Sequence, residues 1–111
     1  MSKRIEHPLL SEILPAFAIE LEELLRNAGE AELAKLVPSL KVVGRCRCGD
    51  DFCATFHARP KPAGTWGAGY RCLPLDPREG MVNLDVVDGS IACVEVLYRD
   101  DVRKKLLATL P

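Results

Sequence analysis

The hydrophobic period of the chain changes once, at Pro38, and this change predicts the fold class. Before Pro38, apolar residues recur at the spacing of three and four that is typical of helices; after it they alternate with polar residues, as in strands. A last helical pattern follows the strands. This order predicts an α+β domain in which an N-terminal helix and a short second helix pack on a mainly antiparallel sheet of about four to five strands, with a short C-terminal helix. The sequence shows no internal repeat or linker, so we expect a single domain over residues 1–111.

The helical part of the sequence divides at Gly29, a residue that suits a helix end. Residues 8–27 form one broad apolar face and predict the first helix. Ser11 as the N-cap would leave Pro15 in the first turns, where a missing amide hydrogen costs little; an earlier start with a kink is the alternative. Residues 30–37 predict the short second helix.

Alternating apolar residues predict the strands of the sheet. The predicted strands cover residues 40–48, 52–58 and 70–75 and the two arms of the segment 81–98. Residues 59–69 contain two prolines and three glycines, so we expect a long irregular loop there. After the last strand, Asp100 or Asp101 can cap a short helix that continues through Leu110.

The clearest turn of the sequence is the dipeptide Asp88-Gly89, which lies between two alternating segments. Aspartate and glycine accept the positive φ angles of a type I′ turn. A two-residue turn here pairs Val86 with Ile91 and Leu84 with Cys93. One face of the sheet would then carry the apolar residues that the N-terminal helix covers, namely Val82, Leu84, Val86, Ile91, Cys93 and Leu97.

Three cysteines and a histidine lie close together in the segment 46–57. If the connection between the first two strands has an even number of residues, alternation places Cys46, Cys48, Cys53 and His57 on one face of the sheet. Thiolate and imidazole are ligands of tetrahedral zinc, so this set is a candidate metal site and zinc is the one candidate cofactor. Same-face positions on one strand are about 6.5–7 Å apart, so a shared ion would need a bend or bulge.

Two other interpretations of the cysteines are open. Reduced cysteines usually fill apolar space in a cytoplasmic protein, and we expect Cys72 and Cys93 to be core residues of this kind. The second alternative is a thiol-based redox sensor or enzyme, in which Arg45 and Arg47 lower the pKa of a neighbouring thiol.

Cations and aromatic residues interleave from the first strand to the end of the long loop. Grooves for single-stranded nucleic acid use this combination for phosphates and stacked bases. The formal net charge of the chain is only −1, however, so a protein contact is preferred and nucleic acid is the weaker alternative. The candidate interaction surface consists of Arg45, Arg47, Arg59, Lys61, Trp66, Tyr70 and Arg71.

The sequence carries no catalytic signature, which favours a binding role. We predict a small cytosolic interaction or regulatory module without catalytic activity, whose partner is another protein or a second copy that joins at a sheet edge. The first residues lack the pattern of a signal peptide, and no apolar run approaches the ~20 residues of a membrane span. We therefore expect a cytoplasmic protein without a membrane partner.

Overall fold

An antiparallel sheet covered on one face by helices forms the protein, as seen in the computed structural model, which describes residues 7–60, 64 and 66–110. In this part of the chain the strands are β1 (Gly44–Arg45), β2 (Phe56–His57), β3 (Tyr70–Pro74), β4 (Met81–Val87) and β5 (Ser90–Leu97). Their order across the sheet is β1-β2-β5-β4-β3, and each neighbouring pair is antiparallel. The predicted α+β class is therefore confirmed.

The predicted first helix is broken in two at Leu14. The described helices are α1 (Leu10–Ile13), α2 (Pro15–Asn27), α3 (Ala31–Leu36) and α4 (Asp100–Thr109), with a 3-10 turn at Val37–Ser39. Leu14 has φ −137° and ψ 64°, because a residue before proline is pushed out of the helical region. Pro15 then begins α2 at a position that needs no amide hydrogen. Ser11 lies inside α1, so its predicted role as the N-cap is wrong.

The ends of the other helices lie close to the predicted positions. Gly29 has φ 79° after α2, and the Glu30 amide beyond it donates to the Leu25 carbonyl at 2.8 Å. The C-terminal helix begins at Asp100, but Arg99 rather than an aspartate occupies the N-cap position. No helix in the described part of the chain is long and apolar enough to cross a lipid bilayer.

The turn of the β4–β5 hairpin forms as the sequence predicts. Asp88 and Gly89 have φ angles of 51° and 78°, which are the positive values of a type I′ turn. The predicted pairing of Val86 with Ile91 is also present. The hairpin therefore starts in the expected register.

A β-bulge directly after this start changes the register of the hairpin. Asp85 opposes Cys93, so Ala92 is an extra residue on β5. Leu84 opposes Val94, and its predicted pairing with Cys93 is wrong. From the bulge onward, every side chain of β5 points to the face opposite to the one that a regular hairpin would give it.

The two faces of the sheet consequently differ in chemistry. The core residues that strands β2, β4 and β5 contribute toward the helices are Phe56, Val82, Leu84, Val86, Ile91, Val94 and Val96. Cys93 and Leu97, which were predicted for this face, lie on the opposite face instead, as the bulge requires. Cys93 is nevertheless buried, with 6% of its surface exposed. Cys72 is exposed, so its predicted place in the core is wrong.

The first hairpin has far less regular structure than predicted, because β1 and β2 are only two residues long. β2 lies between β1 and the central strand β5. Backbone bonds extend this attachment beyond the strand: the Ala54 amide donates to the Val96 carbonyl at 2.7 Å, and the Ala58 amide donates to the Ala92 carbonyl at 2.9 Å. The hairpin is therefore fixed to β5 along residues 54–58.

Arg99 connects the helices at the end of the sheet. It is the one charged side chain among the described residues that is buried, with 8% of its surface exposed. Its guanidinium donates two bonds of 2.8 Å to Glu20 of α2 and two bonds of 3.1 Å to Asp101 of α4. It also lies 5.8 Å from the ring centroid of Phe17. Two carboxylates and an aromatic ring thus compensate this buried charge.

Candidate metal centre

The register of the first hairpin gathers three thiols at its loop. Beyond β1 and β2, the Cys46 amide donates to the Thr55 carbonyl at 2.8 Å, which continues the same ladder. Two residues further along each arm, this register places Cys48 opposite Cys53. Gly49, with φ 83°, lets the chain turn between them. The connection therefore has the even length on which the convergence of the thiols depends.

The sulfur atoms of Cys46, Cys48 and Cys53 all lie within 4.8 Å of one another, and we call these residues the thiol cluster. Zinc–sulfur bonds of about 2.3 Å place the sulfurs of a tetrahedral site about 3.8 Å apart. A closure of at most about 1 Å, which side-chain rotation can supply, would therefore bring the sulfurs to these distances. The strict spacing of a strand does not prevent this, because β1 ends at Arg45, before the first of these cysteines.

His57 shares the face of the thiol cluster but is not one of its members. It lies in β2, opposite Cys93 of β5. Among the described residues, the donor atoms that come within 4.8 Å of one another do not include its imidazole. The reason is strand geometry, since four residues of extended chain separate the backbones of Cys53 and His57 by about 13 Å. The structure thus gathers three of the four predicted metal ligands.

Hydrogen bonds around Cys53 favour its thiolate. Burial acts most strongly on this thiol and raises its pKa, but the hydroxyl and amide of Thr55 and the thiols of Cys48 and Cys46 donate to its sulfur. The net result is a lowered pKa for Cys53. The lowered pKa favours the thiolate of Cys53, which is the form that binds a metal ion.

Cys48 has the opposite tendency. The largest single effect on it is the backbone amide of Asp50, which lowers the pKa, but the hydrogen bonds with Cys53 and Cys46 raise it, and the resulting pKa is about 11. A bound cation would reverse this balance, because metal coordination deprotonates a thiol. The Asp50 amide would then remain as a donor to the thiolate.

The predicted effect of the arginines on these thiols is not seen. The largest effects on the pKa of Cys48 and Cys53 come from hydrogen bonds, burial and neighbouring sulfurs, and not from Arg45 or Arg47. Arg45 instead lies in β1 opposite Phe56, whose side chain belongs to the core face. Alternation along the strand therefore carries the guanidinium away from the cysteines.

The thiol cluster opens on a groove of about 560 Å³ in the face of the sheet that the helices leave uncovered. Cys46 and Cys53 line one part of this groove. The other lining residues that bear on its chemistry are Asp50, Phe52, His57, Trp66, Tyr70, Cys72, Asn83, Asp85, Cys93 and Glu95. No lysine or arginine of the described chain is among its lining residues.

One row of side chains crosses this groove from strand to strand. His57 opposes Cys93, Cys93 opposes Asp85 and Asp85 opposes Cys72, so these four side chains lie side by side on the open face. The Tyr70 hydroxyl donates to the Asp85 carboxylate at 3.0 Å, and this bond raises the pKa of Tyr70 to about 12. Asp85 is therefore held in place as an acceptor at the centre of the groove.

A second carboxylate of the groove is held in the same way. The Asn83 side-chain amide donates to Glu95 at 2.9 Å, across the β4–β5 pair. Asn83, Asp85 and Glu95 were not among the predicted site residues. The alternation of Asn83 and Asp85 with three apolar residues of β4 is the signal that could have identified a polar second face. Glu95 could not have been found in this way, because the bulge decides which face it joins.

The candidate interaction surface is divided among several environments. Trp66 and Tyr70 line the groove, whereas Arg71 forms a two-bond ion pair with Glu30, with the shorter distance at 2.9 Å. Arg45 and Arg59 are half-buried and Arg47 is exposed, while Lys61 lies outside the described residues. A protein or nucleic acid partner for this surface stays a prediction.

Comparison of the chain with known protein families, with curated protein sequences and with solved structures gives no match.

Proposed function

We propose that this protein is a zinc-binding domain in which Cys46, Cys48 and Cys53 hold the ion through their sulfurs. The observation that carries the proposal is the approach of these sulfurs to within 4.8 Å of one another. Three thiols at this distance suit a thiophilic ion that prefers tetrahedral coordination. Magnesium and calcium prefer oxygen ligands, so they would bind poorly to such a set.

The surroundings of the cluster support the same function. Cys48 is exposed and the other two cysteines are partly buried, so an ion can enter without opening the core. The hydrogen bonds from Thr55 and Asp50 hold the sulfurs of Cys53 and Cys48 as acceptors before any ion arrives. A reducing compartment such as the cytoplasm, which the odd number of cysteines also favours, would keep all three thiols available.

A bound ion would also stabilise the first hairpin, whose arms share few backbone hydrogen bonds. The arms that carry the cysteines are joined by two residues of regular pairing on each side, so the loop depends on few backbone bonds. An ion shared by both arms would cross-link them, and binding to the folded form alone stabilises that form. Zinc therefore has a structural effect in this protein in addition to any chemistry it performs.

The test is a metal titration of the full chain after reduction and treatment with a chelator. We expect one equivalent of zinc to bind, and Cys48→Ser and Cys53→Ser each to lower the affinity at least 100-fold, in line with the loss of one of three ligands. Cys72→Ser is the matched control, because Cys72 is exposed and lies outside the cluster. Substoichiometric zinc, or an equal loss in Cys72→Ser, would contradict the proposal.

A second candidate function is the interaction module without catalytic activity that the sequence predicts. The observation in its favour is an exposed aromatic pair beside the hairpin: Phe52 and Tyr98 are 38% and 61% exposed, and their rings stack at 5.3 Å between centroids. Exposed aromatic side chains of this kind are frequent anchors of protein contacts. Sedimentation across a range of concentrations, with Phe52→Ser as the comparison, tests whether the pair mediates self-association.

A further inference from the structure

The thiol cluster supplies three ligands to an ion that prefers four. Among the described residues, no further cysteine, histidine or carboxylate donor lies within 4.8 Å of all three sulfurs. Structural zinc sites are closed by four protein ligands, whereas sites with three protein ligands keep a position for a molecule from outside. Cys46 and Cys53 line the groove and Cys48 does not, so this open position faces the groove.

The groove has the size and walls of a site for a small molecule. Its volume of about 560 Å³ falls in the ordinary range for such sites. Phe52 and Trp66 provide aromatic surface, and Tyr70 and Asn83 fix the carboxylates of Asp85 and Glu95 as acceptors. Each carboxylate uses one oxygen in that bond, so both can accept further hydrogen bonds from a ligand.

The charge of the groove selects among ligands. Three thiolates with one zinc ion carry a net charge of −1, and Asp50, Asp85 and Glu95 add negative charge with no arginine or lysine in the lining to offset it. A groove of one sign concentrates ligands of the opposite sign and repels those of its own. An anionic ligand is therefore disfavoured at this zinc site, and an ammonium group is favoured beside Glu95.

We infer that the groove binds a small aminothiol, whose sulfur completes the zinc coordination and whose ammonium group lies against Glu95, two residues along β5 from Leu97, the bridge partner of Cys53. This inference rests on the proposed zinc site. A fourth sulfur gives the four-thiolate set that zinc accepts in closed sites. The thiol releases its proton to solvent on binding, and the retained ammonium compensates the charge that the new thiolate brings.

The experiment first establishes zinc stoichiometry and then titrates the loaded protein with three thiols that differ in charge at their far end. These are cysteamine, which is cationic, 2-mercaptoethanol, which is neutral, and mercaptoacetate, which is anionic. Calorimetry on the zinc form gives affinity, and the visible spectrum of the cobalt form reports the fourth ligand. We expect cysteamine to bind at least 10-fold more tightly than mercaptoacetate, with 2-mercaptoethanol between them.

Variants separate the two halves of the inference. Glu95→Gln should lower cysteamine affinity toward that of 2-mercaptoethanol while zinc affinity stays unchanged, because Glu95 is not a member of the thiol cluster; Glu32→Gln, an exposed acid of α3, is the control. His57→Asn should leave the cobalt spectrum unchanged, and a changed spectrum would identify the imidazole as the fourth ligand and overturn the inference. Equal affinity for the three thiols would overturn it as well. Absence of stoichiometric zinc would instead overturn the proposed function itself.

Discussion

The buried guanidinium of Arg99 allows a quantitative prediction. Glu20→Gln keeps the shape of the side chain but removes the charge that accepts two bonds of 2.8 Å from Arg99. Removing one partner of a fully buried ion pair costs about 3–5 kcal/mol. Here Asp101 still pairs with the guanidinium, and the Glu20 side chain is 29% exposed, so we expect a loss of about 2 kcal/mol.

Urea denaturation, monitored by circular dichroism, measures this loss of stability. In thermal denaturation the same loss should lower the Tm by about 10 °C in a domain of this size. Glu22→Gln is the matched control on the same helix, because the two glutamates are equally exposed but Arg26, the partner of Glu22, is 53% exposed against 8% for Arg99, and the pair is 3.5 Å long. We expect it to cost less than about 0.5 kcal/mol.

A double variant tests the physical cause. Glu20→Gln combined with Arg99→Met removes the unmatched charge, so part of the stability lost in the single variant should return. The reasoning is refuted if Glu20→Gln and Glu22→Gln have equal effects, or if the double variant is less stable than the sum of its single changes.

Three further predictions concern stability at low pH, a glycine with positive φ and the effect of zinc on stability. The guanidinium beside Asp101 holds the pKa of this carboxyl below its ordinary 3.8, so its contribution to stability is complete above that value and is lost as the pH falls through the folded-state pKa. Asp101→Asn should therefore lose less stability than the wild type between about pH 5 and about pH 2 in urea titrations. Gly80→Ala should cost at least about 2 kcal/mol in the same assay, because Gly80 has φ 69° and a Cβ there would collide with a backbone carbonyl of β5, whereas Gly44→Ala meets open space and should be nearly neutral. Zinc at about a thousand times its Kd should stabilise the protein by about 4 kcal/mol in thermal denaturation, and Cys53→Ser should reduce this gain to about 1.4 kcal/mol or less at the same zinc concentration.

The features that the sequence predicted correctly are those that a few neighbouring residues determine. The Asp88-Gly89 turn needs only two residues that tolerate positive φ, and Gly29 ends α2 for a similar local reason. These two positions of the fold could therefore be predicted without knowledge of the rest of the molecule. The approach of Cys48 to Cys53 was predicted only on the condition that their connection has an even length, and the structure supplies the register that meets this condition.

The errors in the predicted sheet arise where packing, and not the neighbouring residues, determines the register of the strands. Nothing in the composition of β5 marks Ala92 as an extra residue, yet this bulge transfers Cys93 and Glu95 to the open face. The break at Leu14 has a different, local cause, because the residue before Pro15 is pushed out of the helical region.

The position of β5 at the centre of the sheet has a consequence for how this protein can change over time. Val94 and Val96 pack in the core, while Cys93 and Glu95 face the groove. Alternate residues of one strand therefore determine the stability of the fold and the chemistry of the groove. A systematic library across this strand should yield two interleaved phenotypes, poor folding at one set of positions and altered occupancy of the groove at the other. Selection could therefore redirect the specificity of the groove through the second set while the first set, and with it the fold, stays constant.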